Sequence, residues 1–288
     1  MSGVVAVKLG CPGHVGAQQL ILFKAENHAR HLLLTLRPVT SKTRSSSFGI
    51  AKLVEHRLAR VLKDGDVLVI SSKFVAVSEG RTVRLSSVRV GARARELAAK
   101  YRMDPRLCEL VVRESDEVLG GIPGFLLTTK DGLLTPNAGI DKSNVKHGTV
   151  VLYPRRPEAS ARRIREALQY SLGVSVGVII CDSRLSPTRR GTTGVAIAAS
   201  GIEAVLDMRG RRDLFGNVLK VTSQGIADDL SSAAEVLMGE SDEATPMVLV
   251  RGLHRGLLTK TEYPGQRFAI AMVECVYLRS LGYAGPLA

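Results

Sequence analysis

Tryptophan is absent from this sequence, and aromatic residues make up only 4% of it. Nucleic-acid modules that stack bases need such platforms. No RRM, KH or helix-turn-helix pattern stands in for them. The chain is nonetheless strongly basic, with 40 Lys and Arg against 27 Asp and Glu and a formal net charge of +13. That charge is spread along the whole chain, which suits small phosphorylated or carboxylated ligands better than nucleic acid. Long apolar runs are missing too: nothing approaches the roughly 18 residues a membrane helix requires. The opening MSGVVAVKLGCPGHVGAQQ has no apolar stretch of the signal-peptide kind, so a cytoplasmic location is expected. The four cysteines (Cys11, Cys108, Cys181, Cys275) form no CxxC pair. They read as reduced thiols, not as a zinc site or a disulfide framework. Neither GxxxxGK[ST] nor GxGxxG occurs, which excludes a P-loop and a Rossmann dinucleotide fold.

What is present is an alternation of helices and strands. The 288 residues suffice for one large or two modest domains. FGIAKLVEHRLARVLK places Ile50, Leu53, Val54, Leu58, Val61 and Leu62 on one helical face, with Ser47 as its expected N-cap. KDGDVLVISSK reads as a turn at Asp64-Gly65, a buried strand over Val67–Ile70, and Ser71, Ser72 and Lys73 at its C-terminal end, where ligands collect in open α/β sheets. VAVSEGRTVRL alternates apolar and polar residues around Glu79-Gly80. RARELAAKY and DPRLCELVVRES predict two short helices, the second with Asp104 as N-cap and Pro105 at N1. FLLTTKDGLLTPNAGI predicts a hairpin turning at Asp131-Gly132 and delivering a polar loop at 137–144. In the second half, EASARRIREALQYSL is an amphipathic helix, VSVGVIICDS an apolar strand, GIADDLSSAAEVLMGE a helix and PMVLVRG a strand. The fold class this predicts is α+β (mixed α/β) in two lobes. Residues 1–35 form an extension that is either weakly ordered or an early strand pair, 36–254 a catalytic region, and 255–288 a less patterned tail.

Three acids stand where a carboxylate can be held rigidly. Asp141 lies in NAGIDKSN beside Asn137, Ser143 and Asn144. Asp182 ends a buried strand, and Glu240 ends a helix. Carboxylates among Asn and Ser oxygens are hard ligands, suited to Mg²⁺ or Mn²⁺; a turn cap for Asp141 and a solvated strand end for Asp182 are the plainer alternatives. In SPTRRGTTGVAIAASGI, Arg189 and Arg190 precede Gly191, an arrangement that either binds phosphate or carboxylate bidentately or is a solvated basic turn. Lys73 either reaches a phosphate or simply ends its strand. Arg162-Arg163 read as a solvated helix face. Cys181 should alternate away from Asp182 into the core, and neither His147 nor His254 has a partner at ligand spacing.

Taken in order, DGDVLVISSK, SEGRTV, DPRLCELVVRES, TPNAGIDKSNV, PEASARRIREAL, VGVIICDS, RRGTTGVAIAASGI, DLFGNVLKVT, IADDLSSAAEVLMGE and PMVLVRG resemble the coenzyme F-420:L-glutamate ligase (gamma-glutamyl ligase) family, over about residues 50–253. The NAGID-SN and RRG-TGVAI blocks are the most specific. The resemblance implies that fold and a GTP-dependent amide ligase using two Mg²⁺ or Mn²⁺ ions. It implies L-glutamate joined through gamma linkages to a phosphorylated deazaflavin acceptor, an acyl-phosphate intermediate, and a homodimer. By the same resemblance Asp141 and Asp182 hold one metal, and Ser183, where the family usually has Thr, holds a second with Glu240. Arg189 and Arg190 hold anions. Ser72, Lys73, Asn144 and the segment Met238, Gly239, Glu240, Ser241, Asp242 to Thr245 contact nucleotide. Three departures stand out: Val77 where the family usually has Lys, LRPVTSKTRSSS in place of an acidic loop, and no aromatic between Asp182 and the arginines. The alternatives are a paralogous amide ligase acting on another anionic acceptor and a two-metal phosphohydrolase.

Overall fold

The computed structural model describes residues 6–7, 21–27, 30–44, 47–263 and 268–283. The chain begins with strands β1 (Ala6–Val7), β2 (Ile21–Asn27) and β3 (Arg30–Val39), then α1 (Ile50–Leu58), β4 (Val67–Ser71), α2 (Ser72–Ser78) and β5 (Thr82–Arg84). Next come α3 (Ala92–Tyr101), α4 (Pro105–Glu114), β6 (Glu117–Ile122), β7 (Phe125–Lys130), β8 (Leu133–Pro136) and β9 (Thr149–Val151). The remainder holds α5 (Pro157–Leu172), β10 (Gly177–Leu185), β11 (Thr192–Ile202), β12 (Leu206–Asp207), β13 (Ser223–Gln224), α6 (Ile226–Met238), β14 (Met247–Arg251), β15 (Leu258–Tyr263) and α7 (Val276–Ser280). The molecule is a mixed α+β structure, as its pattern predicts.

Its main sheet has the order β1-β2-β3-β14-β4-β10-β11-β15. Only β4 and β10 run parallel; the other neighbours are antiparallel. The period-2 alternation of strands decides what covers each face. Leu68 and Ile70 of β4, with Val178 and Ile180 of β10, pack against α1 and α5. Val67, Val69 and Ile179 point the other way, onto Ile226, Leu230 and Ala234 of α6. With helices on both faces the strand core needs apolar residues at every position, which is why VLVI and GVII are unbroken. A separate core is built from α3, α4 and the strands around them, with Leu107, Val111, Leu126 and Val150 buried in it. Here the small sheets β5-β9 and β6-β7-β8 sit.

Local chemistry sets several boundaries as expected. The Asp104 carboxylate accepts from the Arg106 amide, with Pro105 in the first turn of α4. Asp131 and Gly132 both take positive φ, 51° and 77°, the geometry of a tight I′ turn between β7 and β8. Two expectations need correction. α1 is shorter than its apolar pattern and starts after Gly49, with no side-chain cap; Ser47 does not cap it. The chain beyond Leu58 must turn back into β4, so Val61 and Leu62 pack from a turn. The alternating segment after Lys73 is helix α2, followed only at Thr82 by strand. A short apolar run satisfies both periods, and burial of Val75, Ala76 and Val77 chose the helix. Most of the expectation for 1–35 lies outside the described residues, as does Cys11. The early strand pair is β2 with β3; β14 pairs with β3 only from Thr35 onward. Among the described residues no helix is long and apolar enough to cross a membrane.

Candidate active site

Where β4 ends at Ser71, opposite Cys181 of the longer β10, a cleft of about 1180 Å³ opens between the main sheet and the segment around β8 and β9. It is lined by Ser72, Lys73, Asn144, Met238, Gly239, Glu240, Ser241, Asp242 and Thr245, and by Asp141, Asp182 and Ser183. Residues from four distant parts of the sequence therefore meet at one wall. Arg189 and Arg190 do not: they are exposed in the turn between β10 and β11, outside the lining.

Asp182 stands in β10 one residue after buried Cys181, which faces the core and touches Met238. Burial pushes the Cys181 thiol well up, so it stays protonated and unreactive. The Asp182 carboxylate accepts a hydrogen bond from Ser72 Oγ at 2.6 Å and one from Arg184 Nε at 3.2 Å. Asp141 arrives from the other core. Its carboxylate is 2.6 Å from Lys73 Nζ and accepts from the Ser143 amide at 2.6 Å. Burial pushes its carboxyl up, but Lys73 and Ser143 outweigh that and hold it below the usual carboxylate range. Two adjacent residues, Ser72 and Lys73, thus hold the two acids.

The loop that delivers Asp141 is conformationally costly. Asn137, Ala138 and Gly139 take positive φ in succession (50°, 53° and 70°), and Ala138 is fully buried. A left-handed alanine costs about 1–2 kcal/mol, and such strain gathers where a site over-determines the backbone. Three contacts enforce it: the Leu126 amide donates to Asn137 Oδ1, the Ala138 amide donates to Thr128 Oγ1, and Tyr153 packs on Gly139. A Cβ at residue 139 would lie 2.6 Å from the Tyr153 ring, so only glycine fits.

Opposite them, Glu240 Oε1 accepts from Ser183 Oγ at 2.5 Å and from Thr192 Oγ1 at 2.6 Å. Burial, and then Glu240 itself, push the neighbouring Glu235 carboxyl up to about 7. Burial also acts on Glu240, but the Ser183 and Thr192 hydroxyls outweigh it and keep it ionised. Glu235 Oε2 is buried without a hydrogen-bond partner. Asn144 Nδ2 donates to the Ser241 carbonyl at 2.7 Å, closing the loop at 239–245 over the cleft.

Glu235, Arg184 and Thr192 escaped the sequence reading. Glu235 lies on a helix whose i, i+4 pattern reads as core. Only the Asp-x-Arg spacing of Asp182 and Arg184 carried any signal. Lys42 and Arg44, from the basic loop after β3, also line the cleft, beside Val77.

The acids, hydroxyls and Asn144 of this wall are hard oxygen donors. Among the described residues no three His, Cys, Asp or Glu side chains gather as a preformed metal cage. Mg²⁺ keeps much of its water and takes one or two carboxylates plus substrate phosphates, a set that the hard oxygen donors here could supply. The crowded acids and the partnerless Glu235 oxygen fit a cation that offsets their charge.

A profile of the F420-0:Gamma-glutamyl ligase family matches residues 45–252. The chain belongs to this family. It is similar to the coenzyme F420:L-glutamate ligase of Methanopyrus kandleri, 41% identical over 213 residues that cover 74% of this chain and 83% of that protein. The Archaeoglobus fulgidus protein of the same name is 40% identical over 205 residues, 71% of this chain and 82% of its own. The Methanosarcina mazei one is 41% identical over 192 residues, 67% and 76%. This gamma-glutamyl ligase homologue carries every site residue from Ser72 to Thr245 inside 45–252, while the cleft's Ser41–Arg44 rim lies just before the matched span.

Proposed function

We propose that this protein is a coenzyme F420:L-glutamate ligase that adds L-glutamate to F420-0 through gamma-linked amide bonds, using GTP and two Mg²⁺ or Mn²⁺ ions. Membership of the family carries the ligase activity. Convergence of Asp141 and Asp182 from two different cores onto the adjacent pair Ser72-Lys73 supports the assignment of the site. We read the two cores as the two lobes of the family's fold, with 36–254 as its catalytic region.

Asp141 and Asp182 are assigned to one ion, Ser183 and Glu240 to the other; bound there, the ions would neutralise the triphosphate. Ser72, Lys73, Asn144 and the segment Met238–Thr245 are assigned to GTP. An acceptor carboxylate oxygen attacks the γ-phosphorus and GDP leaves. The glutamate amine then attacks the acyl carbon, phosphate departs and the nitrogen gives up a proton. Such catalysis is mostly positioning and electrostatics. Arg189 and Arg190, at the tip of the β10–β11 turn, are assigned to anionic substrate extending out of the cleft. A homodimer fits the turn between β12 and β13, where Leu214, Phe215 and Val221 are almost fully exposed.

The second reading, a paralogue taking a different anionic acceptor, draws on Val77 and the basic Lys42-Arg44 rim. Mass spectrometry of protein, GTP, Mn²⁺, L-glutamate and F420-0 separates the two. A mass gain of glutamyl units that Asp182→Ala abolishes supports the leading reading. GTP binding with no gain points to another acceptor, phosphate release without glutamate to a phosphohydrolase, and no nucleotide binding at all removes both ligase readings.

A further inference from the structure

Arg184 is an unusual residue for a strand that feeds a cleft: its side chain is 7% exposed. A buried guanidinium persists only where its donors and charge are answered. Its Nε donates to Asp182 at 3.2 Å, and its Nη1 donates to the Leu134 carbonyl of β8 at 2.9 Å. The second contact crosses from the main sheet to the strand that runs directly into Asn137–Gly139 and Asp141. Nη2 is buried without a well-formed hydrogen bond, as is the hydroxyl of Tyr153. The guanidinium acts electrostatically on that phenol, whose own burial pushes it up. Tyr153 in turn packs on Gly139. One rigid, planar fork therefore bonds Asp182 itself and the strand leading into the Asp141 loop, and acts electrostatically on Tyr153, one of that loop's supports.

We propose that Arg184 is a positioning residue that sets the separation between Asp182 and Asp141, and through it the affinity and the Mn²⁺ over Mg²⁺ preference of the cation they hold. The proposal rests on the metal reading of those two acids. Arg184 borders the cleft, but its Nε and Nη1 are taken by protein groups and its Nη2 is buried, so its guanidinium is assigned to the protein and not to substrate. Charge and position make opposite demands here. If Arg184 merely supplied positive charge, removing it would tighten cation binding, since one repulsive charge beside the acids would be gone. If it sets the geometry, removing it loosens binding, because the two acids lose their common brace. Supports behind the ligands are worth about 10–100-fold in metal affinity.

The test is direct Mn²⁺ binding, read from the EPR signal of free Mn²⁺, on the full chain without GTP or acceptor, with Mg²⁺ competition. Arg184→Gln removes the charge and keeps polar bulk, while Arg184→Lys keeps the charge and loses the planar fork. Circular dichroism confirms that each is folded. Both variants are expected to bind Mn²⁺ at least tenfold more weakly, with the Mn²⁺ to Mg²⁺ ratio altered. Arg184→Gly supplemented with methylguanidinium should recover part of the loss. Tighter binding by Arg184→Gln, or Arg184→Lys within twofold of the parent, overturns the proposal while leaving the metal site intact. A parent protein that binds no Mn²⁺, or binds it equally as Asp182→Asn, overturns the metal reading itself and this proposal with it.

Discussion

Replacing Lys73 by Met should make the cleft bind a divalent cation more tightly and GTP more weakly. Lys73 Nζ sits 2.6 Å from the Asp141 carboxylate and 2.6 Å from Ser143 Oγ, so a cation approaching Asp141 competes with an ammonium already there. The pair is partly open to water, with side-chain exposures of 26% and 41%. Solvent screening therefore limits its worth to about 1 kcal/mol. Released to the incoming ion, that corresponds to about fivefold tighter Mn²⁺ binding in the absence of nucleotide. Met keeps an unbranched stem of similar length and removes the charge. With Mn²⁺ present, the same variant lacks a charged donor for a triphosphate, a contact worth about 1.5–3 kcal/mol, or tenfold and more in GTP affinity. Calorimetric titration at low ionic strength, first with Mn²⁺ and then with GTP, reads both effects on one sample. Unchanged or weaker Mn²⁺ affinity in Lys73→Met would refute competition at Asp141, and unchanged GTP affinity would remove Lys73 from the nucleotide site.

Four further outcomes are expected. Gly139→Ala should weaken Mn²⁺ binding and lower the Tm, since its Cβ meets the Tyr153 ring at a φ of +70°; an unaltered Mn²⁺ titration would mean the loop does not position Asp141. Arg251→Met leaves Asp66, only 1% exposed, without the bidentate partner that holds it at 2.6–2.7 Å. Denaturant unfolding should show a loss of about 3–5 kcal/mol, the cost of stranding a buried charge, with Mn²⁺ affinity unchanged. Ile180→Ala, at a fully buried position between α1 and α5, should cost about 2–5 kcal/mol in the same assay. Under the proposed homodimer, Leu214→Asp together with Phe215→Asp should give a monomer in light scattering where the parent gives a dimer, with circular dichroism unchanged because neither side chain is buried in the chain itself.

The sequence by itself determined the elements whose causes are local. The cap at Asp104, the I′ turn at Asp131-Gly132, the amphipathic face of α5 and the unbroken apolar core of β10 each follow from interactions spanning a few residues. They also determined that Asp141 sits in a polar loop after a hairpin and that Asp182 directly follows a buried apolar run; the expected strand end there was wrong, because pairing with β11 carries β10 on to Leu185. The family was legible as well, because its blocks keep their order along the chain.

Only the tertiary structure decided what those residues touch. Ser72 reaches Asp182 across 110 positions of sequence and Lys73 reaches Ser143 across 70. Such pairings depend on the sheet order that sets β4 beside β10 and on the turn that brings β8 against β10. The same order left Arg189 and Arg190 exposed and buried Arg184 in their place, two residues from Asp182. It also made a helix of the segment after Lys73, where periodicity allowed either form and burial against Val151 selected one. Local patterns fix which face of an element is apolar. Which distant element covers that face, and which charges are thereby brought within 3 Å of each other, is fixed only when the sheets and helices close on one another.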